Sequence, residues 1–304
     1  LDRGGLAASF VYLSFKRLIM KIAFASGKGG TGKTTAAVNL ARIFSQKRNV
    51  QYLDCDVEEP NGHLFLHPAI RHSVHSKVTI PRIDDAKCTH CGECARFCAF
   101  NALASLPNAT LVFPGLCHSC GGCRLVCPEG AIFEIERNIG VIERGDAEGI
   151  DFVSGRLDVG EAMSSPLIRA VNGYVDETAL AIIDSPPGTS CPVVSSLEKA
   201  EMLVLVAEPT PFGLNDLEIA VDMTRELSIP CGVVINKDEP PGNGLLEKWC
   251  AGQNIPIWGR IPSEMRIAQA YSKGLLVVDV FPDLAEIFRD LSQILLGEAE
   301  KCGK

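Results

Sequence analysis

Residues 21–35, KIAFASGKGGTGKTT, limit what this chain can fold into more than any other stretch. The short apolar run KIAFAS predicts a buried strand. Gly27-Lys28-Gly29-Gly30-Thr31-Gly32-Lys33-Thr34-Thr35 follows it, and then apolar residues recur at helical spacing (Ala36, Val38, Leu40, Ala41, Phe44). Strand, glycine-rich loop and helix in that order satisfy G-x-x-x-x-G-K-[ST]. The glycines let backbone N–H groups turn inward toward phosphate oxygens. Lys33 is expected to reach the β- and γ-phosphates, and the Thr34 hydroxyl to bind Mg²⁺.

Carboxylates appear where such a loop needs them. The strand 50–54 (VQYLD) runs into DCDVEEPN, which puts Asp54 and Asp56 at its carboxyl end, the end at which open α/β sheets hold their ligands. One of the two could instead only cap a turn, and that reading suits Asp54 better. A second apolar strand, 180–184 (LAIID), ends in Asp184, placed to hold Mg²⁺ directly or through water. Ser185-Pro186-Pro187-Gly188-Thr189 then reads as a loop able to sense a γ-phosphate. Further strands are expected at 201–207 and 230–235, the latter leading into Asn236. Alternating strands and helices to the end predict an α/β fold, a doubly wound and mainly parallel sheet.

Eight of the thirteen cysteines fall between Cys88 and Cys127. Cys88, Cys91, Cys94 and Cys98 are repeated 29 residues later as Cys117, Cys120, Cys123 and Cys127. Gly92/Gly121 and Ala102/Ala131 repeat at the same offset, so the segment is an internal duplication. Cys-x₂-Cys-x₂-Cys-x₃-Cys written twice is the two-cluster ferredoxin pattern, in which the fourth cysteine of each run serves the other cluster. The expected ligand sets are Cys88, Cys91, Cys94 and Cys127 for one 4Fe–4S centre, and Cys98, Cys117, Cys120 and Cys123 for the second. Paired C-x-x-C also suits zinc, but this spacing does not resemble a zinc ribbon. Pro128 follows Cys127 whereas Ala99 follows Cys98, so the first run lacks the usual Cys-Pro. Clustered thiols of this kind point to metal ligation and a reducing compartment, hence the cytoplasm.

These motifs together, from Met20 to about residue 296, resemble the MinD-superfamily P-loop ATPases that carry an inserted two-cluster ferredoxin domain. The resemblance implies a P-loop ATPase domain at 20–83 and 138–304 and a small inserted α+β ferredoxin domain at 84–137. It implies that KGGTGKTT is a deviant Walker A loop whose Lys28 reaches the partner's nucleotide in an ATP-sandwich dimer. It implies that Asp56 orients the attacking water within a switch I at 56–62, that Asp54 belongs to the Mg²⁺ shell, and that 185–189 is switch II. Asn236 and the 258–264 loop, with Pro262, are expected near the adenine, and EPTPFGLNDL at 208–217 near the nucleotide.

Net charge is −8 with a pI near 5.3, and no dense Lys/Arg run is present, which argues against nucleic acid. No apolar stretch reaches the roughly 18 residues a bilayer span needs. The amphipathic C-terminal helix carries more acids than bases, so it is expected to pack on the domain, away from any membrane. Residues 1–19 precede Met20 and are expected to be a non-native or mis-called extension. His63, His67, His72 and His75 are expected in a solvated segment, with metal binding as the alternative; Cys55 and Cys191, beside the two switches, are either redox-active or structural. The leading functional expectation is a Mg²⁺-dependent ATPase coupling its nucleotide state to electron transfer toward a partner. The alternative is an iron–sulfur or metal-cofactor carrier. Either would act as a homodimer or a heterodimer with a paralogue.

Overall fold

The computed structural model describes residues 20–239 and 244–302; the extension expected at 1–19 lies outside them. The chain opens with β1 (Lys21–Ala25), α1 (Lys33–Ser45), β2 (Val50–Asp54), α2 (His63–Leu66) and β3 (Ala69–Ile83). The cysteine-bearing segment follows: α3 (Glu93–Phe97), a hairpin of β4 (Leu103–Leu106) and β5 (Ala109–Val112), and α4 (Gly122–Leu125). Next come β6 (Ile132–Ala147), β7 (Ile150–Leu157), α5 (Ser165–Asn172), β8 (Leu180–Asp184), α6 (Cys191–Leu197), β9 (Met202–Ala207) and α7 (Pro211–Leu227). The chain closes with β10 (Cys231–Asp238), α8 (Leu245–Gln253), β11 (Ile257–Pro262), α9 (Met265–Ser272), α10 (Val277–Val280) and α11 (Pro282–Cys302).

Nine strands form one sheet in the order β11-β10-β9-β1-β8-β2-β7-β6-β3. Every pairing from β11 to β7 is parallel. Alternation along β1 explains why both faces are covered. Ile22 and Phe24 enter a core shared with α1, α10 and α11, while Ala23 and Ala25 enter a second core with α5, α6, α7 and α8. α11 lays Leu284, Phe288, Leu291 and Leu295 into the first core. This is a mainly parallel α/β fold wound on both faces. The chain leaves β1 toward β2 on one side and later fills β9 on the other. The loop after β1 therefore lies at the point where strand order reverses, which is where such sheets bind ligands.

The far edge differs from the sequence expectation. The segments that flank the cysteine run, VTIPRID and IFEIER, are not confined to a separate insert. They are instead the outer ends of β3 and β6, which pair antiparallel from Ala69↔Asp146 to Ile83↔Ile132, and β6 then pairs with β7 in the main sheet. Both strands continue past residue 138, but the ladder shifts register there: Ser76 pairs with Gly140 and Lys77 with Asn138, so Ile139 is a bulge that bends the edge without ending it. The two strands form a continuous stem that carries residues 84–131. Among the described residues no helix is long and apolar enough to cross a membrane.

Candidate functional site: a nucleotide cleft and two cysteine cages

Residues 28–35 line a cleft at the carboxyl end of β1, together with Asp56, Asn236 and Pro262. Gly27 stands apart from that cleft. A Cβ there would lie 2.4 Å from the Asp216 carbonyl, so its glycine lets the loop pack on α7. Gly30 (φ +78) and Gly32 (φ +88) adopt the left-handed conformation that opens the loop. The Asn236 amide Nδ2 donates to the Thr31 carbonyl at 2.6 Å, so this residue braces the loop as well as lining the cleft. A Cβ at Gly32 would fall 2.0 Å from that same Nδ2. Gly32→Ala is therefore expected to strain the backbone and displace Asn236, weakening nucleotide binding at least tenfold, about 1.4 kcal/mol, in a titration calorimeter.

Below the cleft the charges are buried. Lys33 Nζ sits 2.5 Å from Asp184 Oδ1, and the Tyr52 hydroxyl donates to Asp184 Oδ2 at 2.8 Å. Burial pushes the Tyr52 hydroxyl well up, and the Asp184 and Asp54 charges add to this. Asp54 is fully buried and accepts backbone N–H bonds from Asp56 (3.2 Å), Asn61 (3.1 Å) and Gly62 (2.8 Å). It ties down the 55–62 loop and does not line the cleft. Burial first, then Asp184, pushes its carboxyl up to about 8, with the Gly62 N–H and Lys33 opposing. Asp56 does face the cleft. Burial raises it to about 6, Lys33 pulls it down and Asp184 pushes it up. Thr34 is buried at the start of α1, where helix N–H groups favour an anion. Lys33 and Thr34 line the cleft, whereas Asp184 lies beneath it with its oxygens on Lys33 and Tyr52. The Lys33 charge suits phosphate, and the Thr34 hydroxyl, with Asp184 once Lys33 turns to a phosphate, suits Mg²⁺. Gly188 donates its N–H to the Ser26 carbonyl at 2.9 Å, which holds the 185–189 loop against the phosphate loop.

Lys28 is held within its own chain, 3.3 Å from Glu208 Oε2. Lys237 approaches the other oxygen of Glu208 at 2.5 Å and donates to the Gly30 carbonyl at 3.0 Å. Burial works against the Glu208 carboxylate, but Lys237 and Lys28 hold it below the usual range.

The eight clustered cysteines surround two cavities. Cys88, Cys91, Cys94 and Cys127 line one; Cys98, Cys117, Cys120 and Cys123 line the other. The duplication is visible in the backbone. His90 and Ser119 share φ near +55, Gly92 and Gly121 are left-handed, and so are Asn101 and Gly130. The Ala102 N–H donates to Cys98 Sγ and the Ala131 N–H to Cys127 Sγ, both at 3.3 Å. Among the described residues no three His, Cys, Asp or Glu side chains gather on a single ion position, in either cage or in the 63–75 segment. Four thiols ringing a cavity fit a polynuclear core better than one ion. Burial pushes Cys123 up to about 11 and raises Cys94. A bare thiolate there is costly, and a cationic core would offset that cost.

His72 and His75 lie exposed on β3. Cys191 is exposed at the start of α6, whereas Cys55 is fully buried with its Sγ 3.7 Å from Asn172 Oδ1. Burial raises the Cys55 thiol well above its usual range, the behaviour of a structural cysteine. Sequence reasoning passed over Tyr52 and Glu208. Tyr52 is a strand residue like any other until the fold sets it beside Asp184, and Glu208 opens a motif with no stated chemistry.

The profile of the CobQ/CobB/MinD/ParA nucleotide binding domain matches residues 22–277. The uncharacterized protein MJ0578 of Methanocaldococcus jannaschii is 30% identical over 289 residues, covering 93% of this chain and 99% of that protein. An iron-sulfur cluster carrier protein of Pyrococcus horikoshii is 25% identical over 307 residues, covering 94% of this chain and 88% of the relative. Among solved structures, the septum site-determining protein MinD of Pyrococcus horikoshii, complexed with Mg-ADP, superposes with a TM-score of 0.56 at 18% identity, covering 91% of this chain and 95% of that one. By its matched span, its parallel sheet and its loop after β1, this chain belongs to the CobQ/CobB/MinD/ParA family of nucleotide-binding domains.

Proposed function

We propose that this protein is a Mg²⁺-dependent ATPase of the cytoplasm whose nucleotide state governs electron transfer to a partner protein through two 4Fe–4S clusters. The observation that carries the reading is the pair of four-cysteine cages, each drawing its fourth thiol from the other run. In this reading residues 84–137 are an inserted two-cluster ferredoxin domain, and 20–83 with 138–304 form the ATPase. Cys88, Cys91, Cys94 and Cys127 hold one cluster; Cys98, Cys117, Cys120 and Cys123 hold the other. Bound there, such clusters supply one-electron transfer.

The chain's own residues divide the nucleotide work. Lys33 and the backbone of 28–32 take the β- and γ-phosphates. The Thr34 hydroxyl and Asp184 hold Mg²⁺, and Asp56 orients the attacking water. Asp54 holds the loop that carries Asp56. Asn236 and Pro262 border the base. Lys28, once it leaves Glu208, is free to reach the nucleotide of a partner subunit, either a second copy or a paralogue. Closure of the 55–62 and 185–189 loops on the γ-phosphate, and their release after hydrolysis, is the switching event.

A second reading, an ATP-dependent iron–sulfur carrier for a client protein, is favoured by the name of the Pyrococcus horikoshii relative. Four protein thiols per cage within one chain favour resident clusters over cargo. The two readings separate in one experiment. Anaerobically reconstituted protein is reduced, Mg²⁺-ATP is added, and both the cluster midpoint potential and the bound iron are followed. A shifted potential with iron retained is the expected result. Iron passing to an apo-acceptor on ATP addition supports the carrier instead.

A further inference from the structure

The carboxyl end of β7 touches both halves of the chain. The Leu157 N–H donates to the Val57 carbonyl, in the loop that carries Asp56, at 2.8 Å. The next residue, Asp158, donates its N–H to the Ile139 carbonyl of β6 at 2.9 Å. Three residues on, Glu161 grips Arg137 of β6 with both carboxylate oxygens on both terminal guanidinium nitrogens. The Glu161 N–H closes a turn on the Asp158 carbonyl at 3.1 Å, so the carboxylate is fixed relative to Leu157. The pair is shielded from water: the Glu161 side chain is 4% exposed and that of Arg137 25%.

Arg137 belongs to the stem of the second cage. Glu134, three residues before it, and Thr79 and Pro81 on the paired strand β3 line the cavity of Cys98, Cys117, Cys120 and Cys123. Arg137 Nε is buried with no hydrogen-bond partner. A shielded ion pair adds little net stability, and its best-attested use is to fix one register or to act as a switch. A stem that needed only attachment would be served by apolar packing.

We propose that Arg137 and Glu161 are positioning residues that transmit the nucleotide-dependent state of the 55–62 loop to the stem of the second cysteine cage. The route is contiguous: Val57, Leu157, the 158–161 turn, Glu161, Arg137, β6. Neither residue lines the nucleotide cleft. When the loop closes on a γ-phosphate, the Val57–Leu157 bond draws the end of β7 with it. The β6–β7 ladder and the Asp158–Ile139 bond reach β6 only from residue 139 onward, and the bidentate grip carries the part of β6 before it. The inference rests on the reading above for the nucleotide response of the loop, but it does not require the cages to be filled.

The test is hydrogen exchange, read by mass spectrometry, on the full chain with and without Mg²⁺ and a non-hydrolysable ATP analogue. Iron is assayed in parallel. In the wild type, nucleotide is expected to slow exchange at 55–62 and at 132–139 by about fivefold or more, the low end of ordinary coupling. In Glu161→Gln and Arg137→Gln the response at 55–62 stays and that at 132–139 disappears. Arg137→Lys, which keeps the charge and loses the fork, retains part of it. A stem response that survives both glutamine variants overturns the proposal, and so does a wild-type stem that never responds. Variants that melt earlier yet keep the stem response show a merely structural pair and overturn it too. Absence of iron from the purified chain defeats the cluster reading alone, because the exchange measurement still decides the coupling.

Discussion

Replacing Cys127 with serine is expected to remove about four of about eight irons per chain, and the irons lost are those beside Cys88, Cys91 and Cys94. By sequence Cys127 closes the second run. In space it lines the cavity of the first, while Cys98 lines the cavity of the second. The exchange follows from the x₃ step. α3 and α4 each end one residue or two before the fourth cysteine, which therefore leaves its own helix toward the opposite cage. Double variants make the assignment decisive. Cys127→Ser with Cys91→Ser strikes one cage twice, so about four irons should remain. Cys127→Ser with Cys120→Ser strikes both cages and should leave almost none. The opposite pattern, counted by iron and sulfide analysis on anaerobic protein, means each run serves its own cluster and the crossed assignment is wrong.

Local signals in the sequence carry much of the main sheet. The strand expected at 50–54 is β2, that at 180–184 is β8, and the glycine loop between β1 and α1 stands where the motif puts it. Each of these rests on apolar runs, glycines and a strand-terminal Asp, all within a few residues. The antiparallel edge is different. β3, β6 and β7 (IDFVSGRL) are not among the strands that the local pattern marks. The pairing partners of β3 and β6 lie between 49 and 77 residues apart, and no short-range pattern encodes that register. The same reason hides the polar contacts that organise the site. Glu208 with Lys28, Tyr52 with Asp184 and Arg137 with Glu161 join residues whose proximity exists only after folding. Asp54 shows the middle case. Its sequence position allows both magnesium binding and turn capping, and only the three backbone N–H groups that converge on it single out the second.

Lys33→Met should cost this chain twice. Lys33 is the charge nearest Asp184, a carboxylate with no exposed surface whose other oxygen accepts only from the Tyr52 hydroxyl among the bonds described. Removing the lysine leaves that carboxylate buried and uncompensated, which destabilises the nucleotide-free chain by about 3–5 kcal/mol. Hydrolysis should fall by about 10²–10³-fold as well, because the charge proposed to meet the β- and γ-phosphates is gone. The two losses have separate origins, and a second substitution separates them. Lys33→Met with Asp184→Asn removes both charges, so the buried site holds a neutral amide that can still accept from Tyr52. Its stability, read from urea unfolding at an unchanged m-value, should recover most of the loss, while hydrolysis stays at the floor. If Lys33→Met alone unfolds at the wild-type urea concentration, the Lys33–Asp184 pair does not anchor the site. If the double variant regains hydrolysis, the phosphate role assigned to Lys33 is wrong.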